Sequence, residues 1–221
     1  MKYAYINGII LDGSEDMVPQ KGKVILTEND KILGIVDKDT DLNTYQKIDL
    51  KGKYIMPGLI NLHVHLPGSG KPVKEGVDNG ERIKKLAKNP IVLIAIKKIC
   101  EKYAKMELMS GVTTIRTVGG AKNYDTEIRN KINAGKMIGP RVLASNYAIS
   151  VPDGHMAGSL AYIANSADEA VQYVRKIAED HPDLIKLMIT GGVLDAKAKG
   201  EPGELKMPAE YVKAACEEAH H

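Results

Sequence analysis

The chain has 221 residues, 43% of them hydrophobic and 27% charged, a composition able to bury a core and unlike that of a disordered chain. Lys and Arg number 31 against 28 Asp and Glu, a net charge of +3, and the charges are interspersed, which excludes the basic stripe of a nucleic-acid-binding protein. The N-terminus lacks the apolar core of a signal peptide and no run approaches the ~20 apolar residues of a membrane span, so no membrane partner is expected and the cytoplasm is the expected compartment.

Residues 3 to 56 read as short strands separated by turn signals: Tyr3 to Leu11 before Asp12-Gly13, Val24 to Thr27, Lys31 to Val36, and Lys47 to Leu50 before Lys51-Gly52. Without an ionisable cluster, this β layer takes a structural role, as a first domain over residues 1–56. A second domain runs from 57 to 221. It opens on a strand between Pro57-Gly58 and Pro67-Gly68 that ends in His63-Val64-His65. Successive side chains on a strand alternate faces, so Leu59, Asn61, His63 and His65 point one way while Ile60, Leu62 and Val64 point the other. With six histidines in the chain, a His-x-His pair arises by chance in roughly one such chain in six, and the spacing alone is a weak signal. Its position at the end of an apolar strand strengthens it: two neutral imidazoles on one face suit Zn²⁺, Fe or Mn, the alternative being a hydrogen-bonded core pair. From Leu66 to Pro72 the chain is rich in Gly and Pro, with no clear helix until Ile91, and such a loop suits a lid. Gly68-Ser69-Gly70-Lys71 lacks the earlier glycine and the following Ser or Thr of a phosphate loop, which excludes a nucleotide site there.

From residue 91 the pattern alternates. Helix is expected from Ile91 to Ser110, strand from Gly111 to Arg116, helix from Asp125 to Ala134 and strand from Arg141 to Ala144. A capping box, Ser166-Ala167-Asp168-Glu169, opens a helix to His181; Leu184 to Thr190 is a strand ended by Gly191-Gly192, and Pro208 starts a last helix to His221. Strands alternating with helices, with no dinucleotide glycine fingerprint, favour a parallel (β/α) barrel over a doubly wound sheet. Cys100 and Cys216 fall in helical patterns without metal spacing, and each reads as a small core residue. Lys186 is the anomaly in the last strand, because lysine is rarely buried without a partner. Ile185, Leu187 and Ile189 share one face, leaving Lys186, Met188 and Thr190 toward the barrel interior, where burial lowers an amine pKa and leaves it neutral and nucleophilic. A lysine paired to a carboxylate and a Schiff-base lysine remain open on these residues alone.

Pro57-Gly58-Leu59-Ile60-Asn61-Leu62-His63-Val64-His65 resembles the first-strand signature of the metal-dependent amidohydrolase superfamily, and Ile185-Lys186-Leu187-Met188-Ile189-Thr190-Gly191-Gly192 resembles its carboxylated-lysine strand. Gly111 to Arg116, Gly139 to Ser145 and Glu217 to His220 are similar to the prolidase-like and imidazolonepropionase-like branch. Thr117 departs from the Asp that follows the Arg in many relatives, and Pro152-Asp153-Gly154-His155 from Gly-Gly-His-Gly. The resemblance implies an α/β fold, a (β/α)8 TIM-type barrel of which this chain holds about the first half, preceded by a small β-sandwich. A barrel takes ~250 residues, so the chain is expected to be the N-terminal part of a longer protein. The resemblance further implies two divalent metal ions, Zn first among them, held by His63, His65 and Lys186 as a CO₂-derived carbamate. Two further histidines on strands five and six and an acid–base aspartate on strand eight have no match here, so no catalytic acid or base is assigned and the fragment alone is expected to be inactive. His155 is assigned to substrate binding, with a plain surface-loop histidine as the alternative. The implied reaction is hydrolysis of a C–N amide bond, in an Xaa-Pro or other dipeptide or an N-acyl amino acid, by a metal-bridging hydroxide. A cyclic-amide hydrolase, a mononuclear deaminase and a non-catalytic scaffold are the alternatives. The expected partner is a small-molecule or dipeptide substrate, and homo-oligomerisation stays open.

Overall fold

The computed structural model describes residues 1–68, 70, 89–192 and 203–221. The chain divides into two compact units, Met1–Gly58 and Leu59–His221. In the first, β1 (Lys2–Ile6), β3 (Lys23–Glu28), β4 (Lys31–Asp37) and β5 (Gln46–Asp49) form a sheet in the order β4-β3-β1-β5, and β2 (Ile9–Ile10) pairs with β6 (Tyr54–Ile55). Ala4, Val24, Leu26 and Leu42 form its core. The single strand expected over Tyr3 to Leu11 is broken in two, because Asn7 takes a left-handed conformation (φ 57°) that no strand accommodates.

The second unit begins with parallel strands β7 (Leu59–Val64), β8 (Val112–Thr117) and β9 (Arg141–Leu143), in that order. A further parallel set places β10 (Ala148–Ser150) between β11 (Ala161–Ile163) and β12 (Lys186–Leu187). Among the described residues, the accompanying helices are α1 (Pro90–Met109), α2 (Tyr124–Asn133), α3 (Ala167–Ala178) and α4 (Ala209–His220). The Asn89 side chain accepts the Ile91 and Val92 N–H groups and Pro90 opens α1 with a preset φ. Ser166 accepts the Glu169 N–H at 3.1 Å, while the Glu169 carboxylate reaches back to the Asn165 N–H rather than to that of Ser166. Ala170, Val174 and Ile177 then bury one stripe of α3.

The strand expected from Leu184 to Thr190 is reduced to Lys186–Leu187. Before it, Leu184 N–H turns to the Ala144 carbonyl; after it, the Ile189 carbonyl accepts from Lys206 and Met207. Ile185 and Leu187 pack against the cluster of Ile149, Val174, Ile177, Met207 and Ala215, which leaves Lys186 and Met188 on the opposite face. An Arg129–Asp183 ion pair at 2.7 Å, with Asp183 also accepting the Ala144 N–H at 2.8 Å, ties α2 to the segment entering β12. β10 and β11 were not expected: three residues each are too short to show a period. The lid expected after Leu66 falls largely on residues 69 and 71–88, outside the described residues.

Cys100 lies in the core with Val64, Ala104, Ile115 and Val142, and burial, then the charge of Asp125, pushes its thiol up to about 12. Cys216 is exposed, which corrects its reading as a core residue: a helical pattern does not say which faces a neighbour covers. A maleimide should modify Cys216 in the folded full-length protein and spare Cys100 until unfolding; mass spectrometry of the labelled peptides distinguishes them, and equal labelling would contradict this packing.

Asp125, in the first turn of α2, is the most buried acid described here, 1% exposed, and burial raises its pKa to about 6 against the lowering effect of hydrogen bonds from Thr117 and Asn146. A carboxyl whose folded pKa lies above its unfolded value holds its proton more tightly when folded, so stability falls as pH rises through about 6. Urea midpoints of the full-length protein should give roughly 1 kcal/mol less stability at pH 8 than at pH 5 from this group. Asp125→Asn should remove that slope, and parallel curves for the two proteins would contradict the assignment.

Candidate metal centre

β7 delivers its two histidines through the residue between them. Val64 is buried in the core with Leu66 and Cys100, so His63 and His65 turn to the other face, where their rings meet edge-on with centroids 5.2 Å apart. Their Nε2 atoms stand 3.3 Å from each other. His65 lies one residue beyond the ladder, and its Nδ1 is 2.9 Å from the Gly119 carbonyl oxygen. A carbonyl only accepts, so Nδ1 carries the proton and Nε2 keeps its lone pair. His63 Nε2–H is then the donor across the 3.3 Å contact. Two nitrogens bound to one tetrahedral cation at 2.0–2.1 Å would be separated by about 3.3 Å, so the pair fits a metal of the zinc type with little movement.

Gly119 makes this approach possible. At φ 111° it occupies a conformation that side chains avoid, and an added Cβ would stand 2.9 Å from Met188 Cε and 3.9 Å from His65 Cε1. His65 is therefore beside Met188, on the same face of β12 as Lys186. Lys186 is half-buried, and its pKa is lowered by burial and then by the Arg116 charge. The His63 pKa is lowered by burial first, then by His65, Lys186 and Arg116. These groups share one electrostatic neighbourhood, in which the imidazole and the amine are both pushed toward the neutral forms that bind metals and attack electrophiles.

Arg116 was not picked out from the sequence as a site residue. Its signal was the alternation of β8, where Ile115 and Thr117 are buried on one face and Arg116 takes the other; its Nε–H donates to the Leu62 carbonyl at 2.9 Å. His155 stands at the turn after β12: its N–H donates to the Thr190 carbonyl at 3.3 Å, and a Cβ on Gly192 would overlap its ring. The structure thus gathers His63, His65 and Lys186 with Arg116 and sets His155 at the Gly191-Gly192 turn. Among the described residues, no three His, Cys, Asp or Glu side chains form a group that could hold a metal ion. A cleft of about 450 Å³ opens beside β7, lined by Asn61, His63 and His65 and by Tyr103, Met106 and Glu107 of α1.

The sequence profile described as Amidohydrolase family matches residues 54–221. A 5-methylthioadenosine/S-adenosylhomocysteine deaminase of Bacillus thuringiensis (strain Al Hakam) is 35% identical over 68 residues, 30% of this chain and 16% of the deaminase. A dihydroorotase of Aquifex aeolicus (strain VF5) is 37% identical over 82 residues, 37% of this chain and 19% of that enzyme. The crystal structure of a putative prolidase from Bifidobacterium longum superposes with a TM-score of 0.74 at 29% identity, over 99% of this chain and 47% of the prolidase. The chain thus spans about half the length of that solved relative, and its matches take up a smaller part of the two curated enzymes.

Cyanate adds to neutral amines, and its rate reports the amine pKa. In metal-free full-length protein, Lys186 carbamylation should rise with pH at a lower pH than that of the exposed lysines, and Arg116→Met should move the rise upward; a profile matching the exposed lysines would contradict a depressed Lys186.

Proposed function

We propose, on the premise that this chain belongs to the amidohydrolase family, that the protein of which it forms part is a metal-dependent hydrolase of a C–N amide bond. The observation that carries this reading is the His63–His65 pair, its Nε2 atoms at the spacing of two ligands on one ion, with Lys186 near enough to bear on the His63 charge. His63 and His65 would hold the first of two divalent cations, zinc being the expected one. Lys186 would bridge them as a carbamate. To form it, the neutral Nζ attacks the carbon of CO₂, one C–O π pair moves to oxygen, and the nitrogen releases a proton to water, leaving an anionic bidentate ligand. When bound, the cations would supply Lewis acidity and a water activated near neutral pH. Burial first and the Arg116 charge second lower the Lys186 pKa, and Arg116 would stand near the carbamate as a positive charge.

A barrel whose first four strands come from this chain accounts for its open edges. β7 and β12 each end a sheet, and Ile60 and Leu62, on the side of β7 that buries Val64, are 65% and 50% exposed. Later strand–helix units would cover them and bring the remaining ligands and the acid–base aspartate. Likeness to the putative prolidase supports an Xaa-Pro dipeptide as substrate; other dipeptides and N-acyl amino acids belong to the same proposal as substrates with an equivalent amide bond. Likeness to the deaminase supports a second reading, a one-metal deaminase, which has no use for a bridging Lys186.

Metal analysis of the full-length protein, purified without chelator and grown with bicarbonate, separates them. About two metals per chain, with Lys186→Ala losing metal and at least 10²-fold in dipeptide hydrolysis, is expected. One metal, indifferent to Lys186, would replace this reading with the deaminase, and none would leave a scaffold.

A further inference from the structure

His65 presents a lone pair at Nε2 only while its proton stays on Nδ1, and the group that accepts that proton is itself held from behind. The Gly119 carbonyl and the Gly120 N–H belong to one peptide unit. On one side the unit accepts from His65 at 2.9 Å; on the other it donates to the Asn146 carbonyl at 2.7 Å. One peptide earlier, the Gly119 N–H donates to Ser145 Oγ at 2.8 Å. Ser145 is fully buried; its own N–H donates to Thr117 Oγ1 at 3.0 Å, and its hydroxyl has the Asn146 carbonyl at 3.4 Å.

Asn146, 2% exposed, stands at φ 61°, a conformation non-glycine residues seldom adopt without being held there. Besides the Ser145 hydroxyl, three hydrogen bonds hold it. Its N–H donates to Asp125 Oδ2 at 3.2 Å, its Oδ1 accepts the Thr126 N–H at 3.1 Å, and its carbonyl receives Gly120. The first turn of α2 is thereby anchored to the turn that supports His65. Among the described residues, the His65 ring has its hydrogen bonds to His63 and to the Gly119 carbonyl, and those of Ser145 and Asn146 go elsewhere.

We infer that Ser145 and Asn146 are positioning residues that fix the tautomer of His65 through the Gly119-Gly120 peptide. A peptide whose N–H is already bonded is a better acceptor at its carbonyl, because successive hydrogen bonds polarise one another. Take away the supports and a peptide between two glycines rotates with little resistance. His65 then has no fixed acceptor at Nδ1, and its proton distributes over both nitrogens, so that part of the population loses the Nε2 lone pair. The consequence for metal binding rests on His65 being a ligand, as proposed above; the tautomer itself does not.

Long-range ¹H–¹⁵N spectra of metal-free, full-length protein, with His65 assigned from His65→Gln, test this. The wild-type protein is expected to show His65 as the single Nδ1–H form. Ser145→Ala should give mixed tautomers and a zinc dissociation constant raised roughly tenfold or more. Asn146→Gly keeps the left-handed backbone and its carbonyl, and should lie between the wild type and Asn146→Ala. A wild-type His65 protonated at Nε2 overturns the inference whether or not any variant folds; so does a folded Ser145→Ala with an unchanged His65 pattern and zinc affinity. A protein that takes up no zinc yet shows the Ser145-dependent tautomer supports this inference while refuting the metal reading.

Discussion

The hydrogen bond from His65 Nδ1 to the Gly119 carbonyl, at 2.9 Å, decides which nitrogen of the ring faces His63 with an open lone pair. Much of the second unit can be understood as what that bond requires. Val64 must be buried so that its neighbours turn outward from the core. Gly119 must lack a side chain, because its φ of 111° strains any other residue and a Cβ would stand 2.9 Å from Met188 Cε. The backbone before it must be held in place, which Ser145 and Asn146 do from within the fold.

The second constraint is charge. Burial first, and then the neighbouring charges (His65, Lys186 and Arg116 for His63, Arg116 for Lys186), lower the His63 and Lys186 pKa values. Such surroundings disfavour the charged forms of His63 and Lys186. Carboxylation of Lys186 would change its contribution from a potential cation to an anion, turning Arg116 from a repulsive neighbour into an attractive one. The proposed carbamate thus answers an electrostatic problem that the uncarboxylated site leaves standing.

His63, His65 and Lys186 were legible in the sequence because alternation on a strand is a strong rule and a lysine amid Ile, Leu and Met violates it. The long helices were legible for the same reason, since Asn89-Pro90 and Ser166 mark their starts. Arg116 was harder: an arginine in a short strand reads equally well as a solvent-facing residue. Gly119, Ser145 and Asn146 act through backbone dihedrals and hydrogen bonds to residues 20 to 54 positions away, which no local pattern encodes. The lengths of β10, β11 and β12 were set by tertiary hydrogen bonds rather than by propensity. His155 sat in a recognisable loop, but its seat against Gly192 depended on two turns meeting.

The claim on which the account turns is that Lys186 becomes a metal-bridging carbamate. Carbon-13 NMR of the full-length, metal-loaded protein equilibrated with ¹³C-bicarbonate tests it most directly. The account predicts one carbamate carbon signal that persists after free bicarbonate is removed and is absent from Lys186→Ala. Metal-loaded wild-type protein without that signal would contradict it.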